Sequence, residues 1–250
     1  MNEKINWLKF HADTSEWTRL ADKYRVREFI KERGLGEILI PLLGVWDKVE
    51  DIAYDSLPNS FVLKTNNGAG SVIIIENKSQ LDIKKTNAQL NRWKKAKFGI
   101  NSAEPHYLKI PPKIIAESLL VNESEYSSSL VDYKVWCFDG VPFATWCCYN
   151  RQSFTADTEW HDIEWMFRPE WSVFDDHYRN GGGRVPKPSC YDRMLEIASV
   201  LSKGFPQVRV DLYVVKDKVY FGEMTFTSAS GHNNFYSEEV LLKMGDLTKI

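Results

Sequence analysis

Gln207-Val-Arg-Val-Asp-Leu-Tyr-Val-Val215, Lys216-Asp-Lys218 and Val219-Tyr-Phe-Gly-Glu-Met-Thr225 form the stretch that decides the fold. Apolar and polar residues alternate in the first segment. Val208, Val210, Leu212 and Val214 therefore share one strand face, and Arg209, Asp211 and Tyr213 share the other. With Lys216–Lys218 as the turn of a hairpin, Val215 faces Val219, Asp211 faces Glu223 and Arg209 faces Thr225. Cross-strand neighbours lie about 5 Å apart at Cβ, where like charges repel. A divalent cation resolves the conflict, because Mg²⁺ takes one or two carboxylates plus substrate phosphates. The other reading pairs Arg209 with one or both acids on a wet face, and a register slip would remove the pairing altogether. The two readings differ in consequence. With a metal site, neutralising either acid leaves the apo protein as stable as before, or more stable by about 0.2–1 kcal/mol. With Arg209 as the partner, the same change lowers apo stability.

Upstream, Phe61-Val-Leu-Lys-Thr65 reads as a strand, Asn66-Asn-Gly-Ala-Gly-Ser71 as a loop, and Val72–Glu76 as the returning strand of a hairpin. Glycines let backbone N–H groups approach phosphate oxygens, and Lys64 supplies a point charge beside them. A hairpin loop needs glycine in any case. No G-x-x-x-x-G-K-[ST] occurs, so a P-loop is excluded. Gly68-Ala-Gly70 with Ile73 at the third glycine position is an incomplete dinucleotide fingerprint. The loop is expected to be a flap that orders on nucleotide.

Elsewhere the spacing of Trp17, Leu20, Tyr24 and Ile30 predicts one helix over 15–33, with Ser15 as N-cap and Gly34 and Gly36 as stops. Helices are expected at 79–98 and Tyr191–Ser202, and a strand at Lys113–Leu120. Residues 132–150 form a hairpin turning at Asp139-Gly140. The Trp-, Gly- and Pro-rich stretch 155–188 reads as a long loop, with Gly181-Gly-Gly-Arg-Val-Pro-Lys-Pro188 mobile. Strands and helices mixed in this order point to an α+β architecture.

Composition narrows the function classes. The chain has 250 residues, 43% hydrophobic and 26% charged, so it folds around a sizeable core. A formal charge of −2 and the absence of a basic tail argue against nucleic acid as a partner. The apolar runs at Ile38–Trp46 and Val72–Ile75 are too short to span a membrane, and no signal peptide is visible at the start. Cys137, Cys147, Cys148 and Cys190 form no C-x-x-C and read as reduced, mostly buried thiols of a cytoplasmic protein.

Five motifs stand in order: Asp22-Lys-Tyr-Arg-Val-Arg27, Phe61-Val-Leu-Lys64, Ile115-Ala-Glu117, Arg209-Val-Asp211 and Glu223-Met-Thr225. Together they resemble an ATP-grasp domain. With Phe61–Gly70, Asp132-Tyr-Lys-Val-Trp-Cys-Phe-Asp-Gly140 and Gly222–Gly231, the chain is most similar to the TupA-like ATP-grasp family, named for teichuronopeptide biosynthesis. The resemblance covers roughly residues 20–235. It implies an ATP-grasp fold of two lobes with ATP between them. By position, Arg27 and Lys64 would contact phosphates, joined by Lys134 and the loop residues Asn66, Gly68, Gly70 and Ser71. Glu117 would lie near adenine or ribose. Asp211 and Glu223 would hold Mg²⁺, and Arg209 would stabilise charge on the tetrahedral intermediate, with Arg209 and Lys64 as the catalytic pair. Thr225 stands where many members carry Asn as a metal ligand. A hydroxyl is a weaker ligand, so a second metal would be bound differently. The expected division is a helical pre-grasp segment at 1–60, a flap-bearing lobe at 61–120 and a lobe with the metal hairpin at 121–250. The short stretch before Asp22 implies that a full N-terminal substrate domain is absent.

The resemblance further implies an ATP-dependent ligase in surface-polysaccharide synthesis. It would join a small-molecule or glycan carboxylate to an amine through an acyl phosphate. Trp160, His161 and Arg168, with Ser228–His232, are expected to form the acceptor pocket, the alternative being that the tryptophans are ordinary core. Two other functions compete: a nucleotide-sugar glycosyltransferase, which lacks a D-x-D here beyond the poor substitute Asp175-Asp176, and a catalytically silent ATP-binding module.

Overall fold

The computed structural model describes residues 1–250. Its helices are α1 (Asn2–His11), α2 (Ser15–Ala21), α3 (Val26–Glu32), α4 (Ile83–Lys95), α5 (Pro105–Leu108), α6 (Tyr191–Ser202) and α7 (Glu238–Leu247). Its strands are β1 (Leu42–Trp46), β2 (Phe61–Thr65), β3 (Val72–Ile75), β4 (Ile114–Ser118), β5 (Asp132–Phe138), β6 (Val141–Tyr149), β7 (Ala156–Asp162), β8 (Tyr178–Asn180), β9 (Val208–Val215) and β10 (Lys218–Thr225). The class is α+β. The chain divides into two compact units: one of residues 13–32 and 39–120, the other of residues 1–12, 33–38 and 121–250.

The smaller unit holds a four-stranded antiparallel sheet in the order β1-β4-β2-β3. Alternation along β2 sends Phe61 and Leu63 inward with Ile75, Ile114 and Ala116, where they pack with Leu90 of α4. Lys64, on β2, and Glu117, on β4, therefore point to the other face. Helix α4 starts later than the spacing predicts, because the Asp82 carboxylate accepts the backbone N–H of Lys85 at 2.9 Å and caps it there. The single helix expected over 15–33 is two. Asp22 accepts the N–H groups of Tyr24 (2.8 Å) and Arg25 (3.2 Å), and this turn breaks the helical ladder before α3 begins. Ser15 opens α2 without capping it; Thr14 occupies the cap position.

The larger unit holds a six-stranded sheet in the order β10-β9-β5-β6-β7-β8, antiparallel except where β7 meets β8. Tyr191, Met194, Ile197, Ala198 and Leu201 line the buried stripe of α6, which covers one face. On the other face Trp136, Trp146, Trp160, Trp171 and Tyr236 form an aromatic core with Ile5 of α1 and Val240 and Met244 of α7. The β5–β6 turn falls at Asp139-Gly140 as expected, both residues having positive φ.

The stretch 155–188 is not one long loop: β7 and β8 lie within it. Nor is its glycine segment free. Tyr149 Oη donates to Gly181 O (3.1 Å) and to Glu159 Oε1 (2.6 Å). Glu159 also accepts the N–H groups of Arg184 and Val185. Sequence patterning missed this because the anchor is one buried glutamate whose partners lie far away in the chain.

The decisive hairpin differs from expectation at its tip and agrees at its base. The turn has two residues, Lys216 and Asp217, both at positive φ, so Val215 pairs with Lys218 rather than Val219. Such two-residue turns match the right-handed twist of the flanking strands. A bulge at Gly222 then absorbs one residue and restores Asp211 opposite Glu223 and Arg209 opposite Thr225. Glycine is required there: a Cβ would sit 2.9 Å from the Asp211 carbonyl oxygen.

Candidate functional site

Strands β5, β9 and β10 present a row of ionised side chains on the face that carries the aromatic core further along. Lys134 is the cross-strand neighbour of Asp211, and Trp136 of Arg209, so Asp132, Lys134, Arg209 and Asp211 share that face. The Asp211 carboxylate is almost fully buried and receives three charge-assisted bonds. Arg209 donates Nε to Oδ1 (2.7 Å) and Nη2 to Oδ2 (2.8 Å), and Lys134 Nζ donates to Oδ2 (2.6 Å). Arg209 also donates to Thr225 Oγ1 (3.2 Å) and Ser228 Oγ (3.0 Å). Glu223 lies 3.9 Å from Arg209 Nη2, with its side chain one-third exposed. The pairing of Arg209 with Asp211 is thus real, but it is buried rather than wet, and Glu223 is left the more open of the two acids.

Two residues that the sequence reading passed over complete the row. Asp132 lies 3.6 Å from Lys134 Nζ, and Arg151 reaches Asp132 at 2.6 Å. Burial alone would raise the Asp132 carboxyl, but Lys134 and Arg151 outweigh it and hold the group below its usual range. Burial likewise opposes the charge on Lys134, and Asp132 and Asp211 reverse that. The available signal was the Asp132-x-Lys134 spacing, which puts both residues on one face of a strand.

Beyond β10, Ala229, Ser230 and Gly231 have φ of 45°, 57° and 81°. Such left-handed backbone is costly away from glycine and persists where its surroundings hold it. Asn6 Nδ2 and Lys9 Nζ of α1 donate to the carbonyls of Gly231 and Ser230 at 3.1 and 2.8 Å. Ser228 Oγ donates to Asn233 Oδ1 (2.8 Å), and Asn233 Nδ2 to Asn2 Oδ1 (2.9 Å), so a polar chain runs from α1 to Arg209. Of the side chains expected around an acceptor, only that of Ser228 joins the polar chain to Arg209. Trp160 is buried in the aromatic core, Arg168 binds Asp162, and His232 is exposed. His161 Nε2 donates to Glu159 Oε2 (3.0 Å), one strand position from Trp160 and hence on the opposite face.

In the other unit, Glu117 sits between two cations. Lys64 Nζ is 2.6 Å from Oε2 and Arg27 Nη1 is 3.2 Å from Oε1. Burial lowers the pKa of the Arg27 guanidinium, with Glu117 opposing the shift. The glycine loop is half anchored. The Lys23 ammonium donates to Gly68 O (2.6 Å), a Cβ on Gly68 would meet the Phe98 ring at 2.9 Å, and Ser71 and Thr65 hydroxyls bond each other at 2.7 Å. The side chain of Asn66 is buried and fully engaged with protein partners. Ala69 and Gly70 alone form an exposed tip.

No trio of His, Cys, Asp and Glu side chains is arranged to hold a metal by itself. The donor set at Asp211 and Glu223 instead fits a cation that completes its shell from phosphates. Glu223 is one-third exposed, and an ionised carboxylate offers about four acceptor positions, of which Asp211 uses three.

The family model described as TupA-like ATPgrasp matches residues 3–249. Among solved structures, an L-amino acid ligase from Bacillus licheniformis is similar with a TM-score of 0.55 at 12% identity, over 87% of this chain and 45% of that one. A D-alanine–D-alanine ligase from Bacillus anthracis is similar with a TM-score of 0.50 at 18% identity, over 92% of this chain and 67% of that one. At these identities the likeness is one of fold, and it establishes the ATP-grasp architecture. A further D-alanine–D-alanine ligase from Bacillus anthracis, complexed with ATP, matches over 54% of its own length, so the chain spans about half to two-thirds of these ligases. Comparison with curated proteins found no match. No helix is long and apolar enough to cross a membrane.

Proposed function

Because the chain belongs to the TupA-like ATP-grasp family, we propose that it is an ATP-dependent carboxylate–amine ligase working through an acyl phosphate. One observation carries the reading: Glu223 faces Asp211 across a hairpin while Arg209 and Lys134 converge on that same buried carboxylate. A positive pair gathered around a carboxylate, with a one-third-exposed acid beside it, suits a nucleotide phosphate and its cation.

When bound, ATP would supply the phosphoryl group and Mg²⁺ the charge that offsets its phosphates, with Asp211 and Glu223 as the side chains that would hold the cation. Thr225 adds a hydroxyl beside them. Lys64 and Arg27 take phosphate oxygens in exchange for part of their hold on Glu117, which keeps both cations oriented and lies toward the adenine or ribose. Backbone N–H groups of Gly68, Gly70 and Ser71 approach the phosphates, and Lys134 neutralises charge beside Asp211. Arg209, locked by Asp211 and Ser228, stabilises the oxyanion formed as the amine attacks. The carboxylate is a sugar acid, free or within a glycan, and the product is an amide in surface-polysaccharide synthesis. Work in the cytoplasm, where ATP is available, suits this chemistry.

The test is ADP release from the purified protein with Mg²⁺ and ATP, screened over pairs of uronic acids with amino acids or amino alcohols. ADP is expected only with a matched pair and not with Glu223→Gln. Consumption of a nucleotide sugar without ADP release would overturn the reading.

A further inference from the structure

Asn66 sits where the lysine strand enters the glycine loop, yet its side chain faces protein on every side. It is fully buried. Its Nδ2 donates to Asp22 Oδ1 (2.8 Å) and to Pro111 O (3.1 Å), and its Oδ1 accepts the backbone N–H of Lys113 (2.6 Å). Its own backbone N–H donates to Lys113 O and its carbonyl accepts from Lys23 N, each at 3.2 Å. Both amide donors and the amide oxygen are therefore used, which leaves no ready polar atom for a ligand.

Asp22 is the matching half. It is buried, and its Oδ1 also holds the N–H groups of Tyr24 and Arg25 at the turn that starts α3. Arg27 stands in the first turn of that helix, and Lys64 lies two residues before Asn66. Three separate segments thus meet on one amide: the turn before α3, the end of β2, and the Pro111–Lys113 approach to β4. The same cation–carboxylate set, Arg27, Lys64 and Glu117, is distributed over α3, β2 and β4.

We propose that the Asp22–Asn66 pair is a clasp that sets the glycine loop, Lys64 and Arg27 in one frame for nucleotide binding, and that Asn66 is a positioning residue rather than a nucleotide contact. This rests on the ligase reading above only in taking ATP as the ligand. The argument is geometric. A hydrogen bond to a buried carboxylate is costly to leave unmade. The loop entrance and the α3 entrance therefore keep their relative placement whether or not the exposed tip at Ala69 and Gly70 moves. The adjoining bond from Lys23 to Gly68 O extends the same tie one residue further into the loop.

The experiment is calorimetric titration of the full chain with ATP in excess Mg²⁺, at a temperature well below each variant's melting point. Asn66→Ala is expected to weaken ATP binding by about tenfold, the equivalent of one hydrogen bond to a charged group. Asn66→Asp sets a carboxylate against Asp22 and is expected to weaken it further. The exchanged pair, Asp22→Asn with Asn66→Asp, rebuilds an amide–carboxylate bond and is expected to recover affinity above Asn66→Asp alone, which a merely structural loss would not do. Should Asn66→Ala not fold, the comparison of Asn66→Asp with the exchanged pair carries the test. Wild-type protein that binds ATP, with Asn66→Ala equal to it or the exchanged pair no better than Asn66→Asp, overturns the clasp alone. Wild-type protein that binds no ATP overturns the ligase reading and this inference with it.

Discussion

Replacing Asp211 with Asn is expected to abolish turnover and also to lower apo stability, whereas Glu223→Gln should abolish turnover alone. The difference follows from what each carboxylate touches. Asp211 accepts bonds of 2.7, 2.8 and 2.6 Å from two buried cations, Arg209 and Lys134. An asparagine there offers one oxygen in place of two and turns an amide donor toward a guanidinium or an ammonium. Stripping the partner from a buried charge costs about 3–5 kcal/mol. Asp132 still neutralises part of Lys134, so the lower end, about 3 kcal/mol, is the appropriate figure. For a chain of this length that is about 6–12 °C in Tm, at about 2–4 °C per kcal/mol. Glu223 is one-third exposed and 3.9 Å from Arg209 Nη2, so its neutralisation should move apo stability by less than about 1 kcal/mol. The assay is a melt with and without Mg²⁺ and ATP. The nucleotide-dependent rise should vanish in both variants, since a ligand stabilises only as far as it binds the native state. An Asp211→Asn protein that melts with the wild type, or a Glu223→Gln protein that still shifts with nucleotide, would refute the reasoning. The result also separates two readings of the hairpin: Asp211 follows the pairing model in stability, and Glu223 follows the metal model.

Gly222→Ala should cut ADP release at least tenfold while secondary structure persists, because a Cβ 2.9 Å from Asp211 O expels the bulge that aligns Glu223; circular dichroism beside the turnover assay checks it. Glu159→Gln should lower stability at neutral pH by about 1–3 kcal/mol, the cost of disrupting a buried charged acceptor. Burial pushes the Glu159 carboxyl up, but His161, Tyr149 and two backbone N–H groups hold it below its usual range. Its contribution is therefore complete above the ordinary carboxylate pKa and is lost as pH falls through the lower folded value. Denaturant melts of wild type and Glu159→Gln should accordingly converge in acid, and a constant gap down to pH 3, well below the usual carboxylate range, would refute the assignment. Aromatic-disulfide titration of the native protein near pH 8 should modify Cys190 first: burial raises its thiol too, but it alone is partly exposed, while burial pushes Cys137 to about 12, Cys148 to about 11 and Cys147 well above its ordinary value.

How much of the site was legible depends on the range of the interactions. Asp211 opposite Glu223 followed from alternation in β9 and β10, because a strand's two-residue period is written in neighbouring residues. The tip of that hairpin was misread, since a two-residue turn plus a bulge and a three-residue turn leave the same pairing at the base. Lys64 beside Glu117 is a diagonal contact between strands far apart in sequence. The motif order brought both residues to notice, but not their direct pairing. Arg151, Ser228 and Asn233 gave no periodic signal at all.

The amino-acid sequence by itself determined the types of β2 to β6, β9, β10, α4 and α6, the two faces of β9, the carboxylate hairpin and the family, because each rests on local periodicity or on short motifs in fixed order. Tertiary structure alone decided what each charged side chain meets. It placed Lys134 and Arg209 on Asp211, Arg151 on Asp132, Glu117 between Lys64 and Arg27, and Trp160 in the core rather than at a pocket. It also turned Asn66 from a loop residue into a junction of three segments. The physical reason is that partners of buried charges and amides are chosen by desolvation and close geometry across the folded sheet, and neither quantity exists along an unfolded chain.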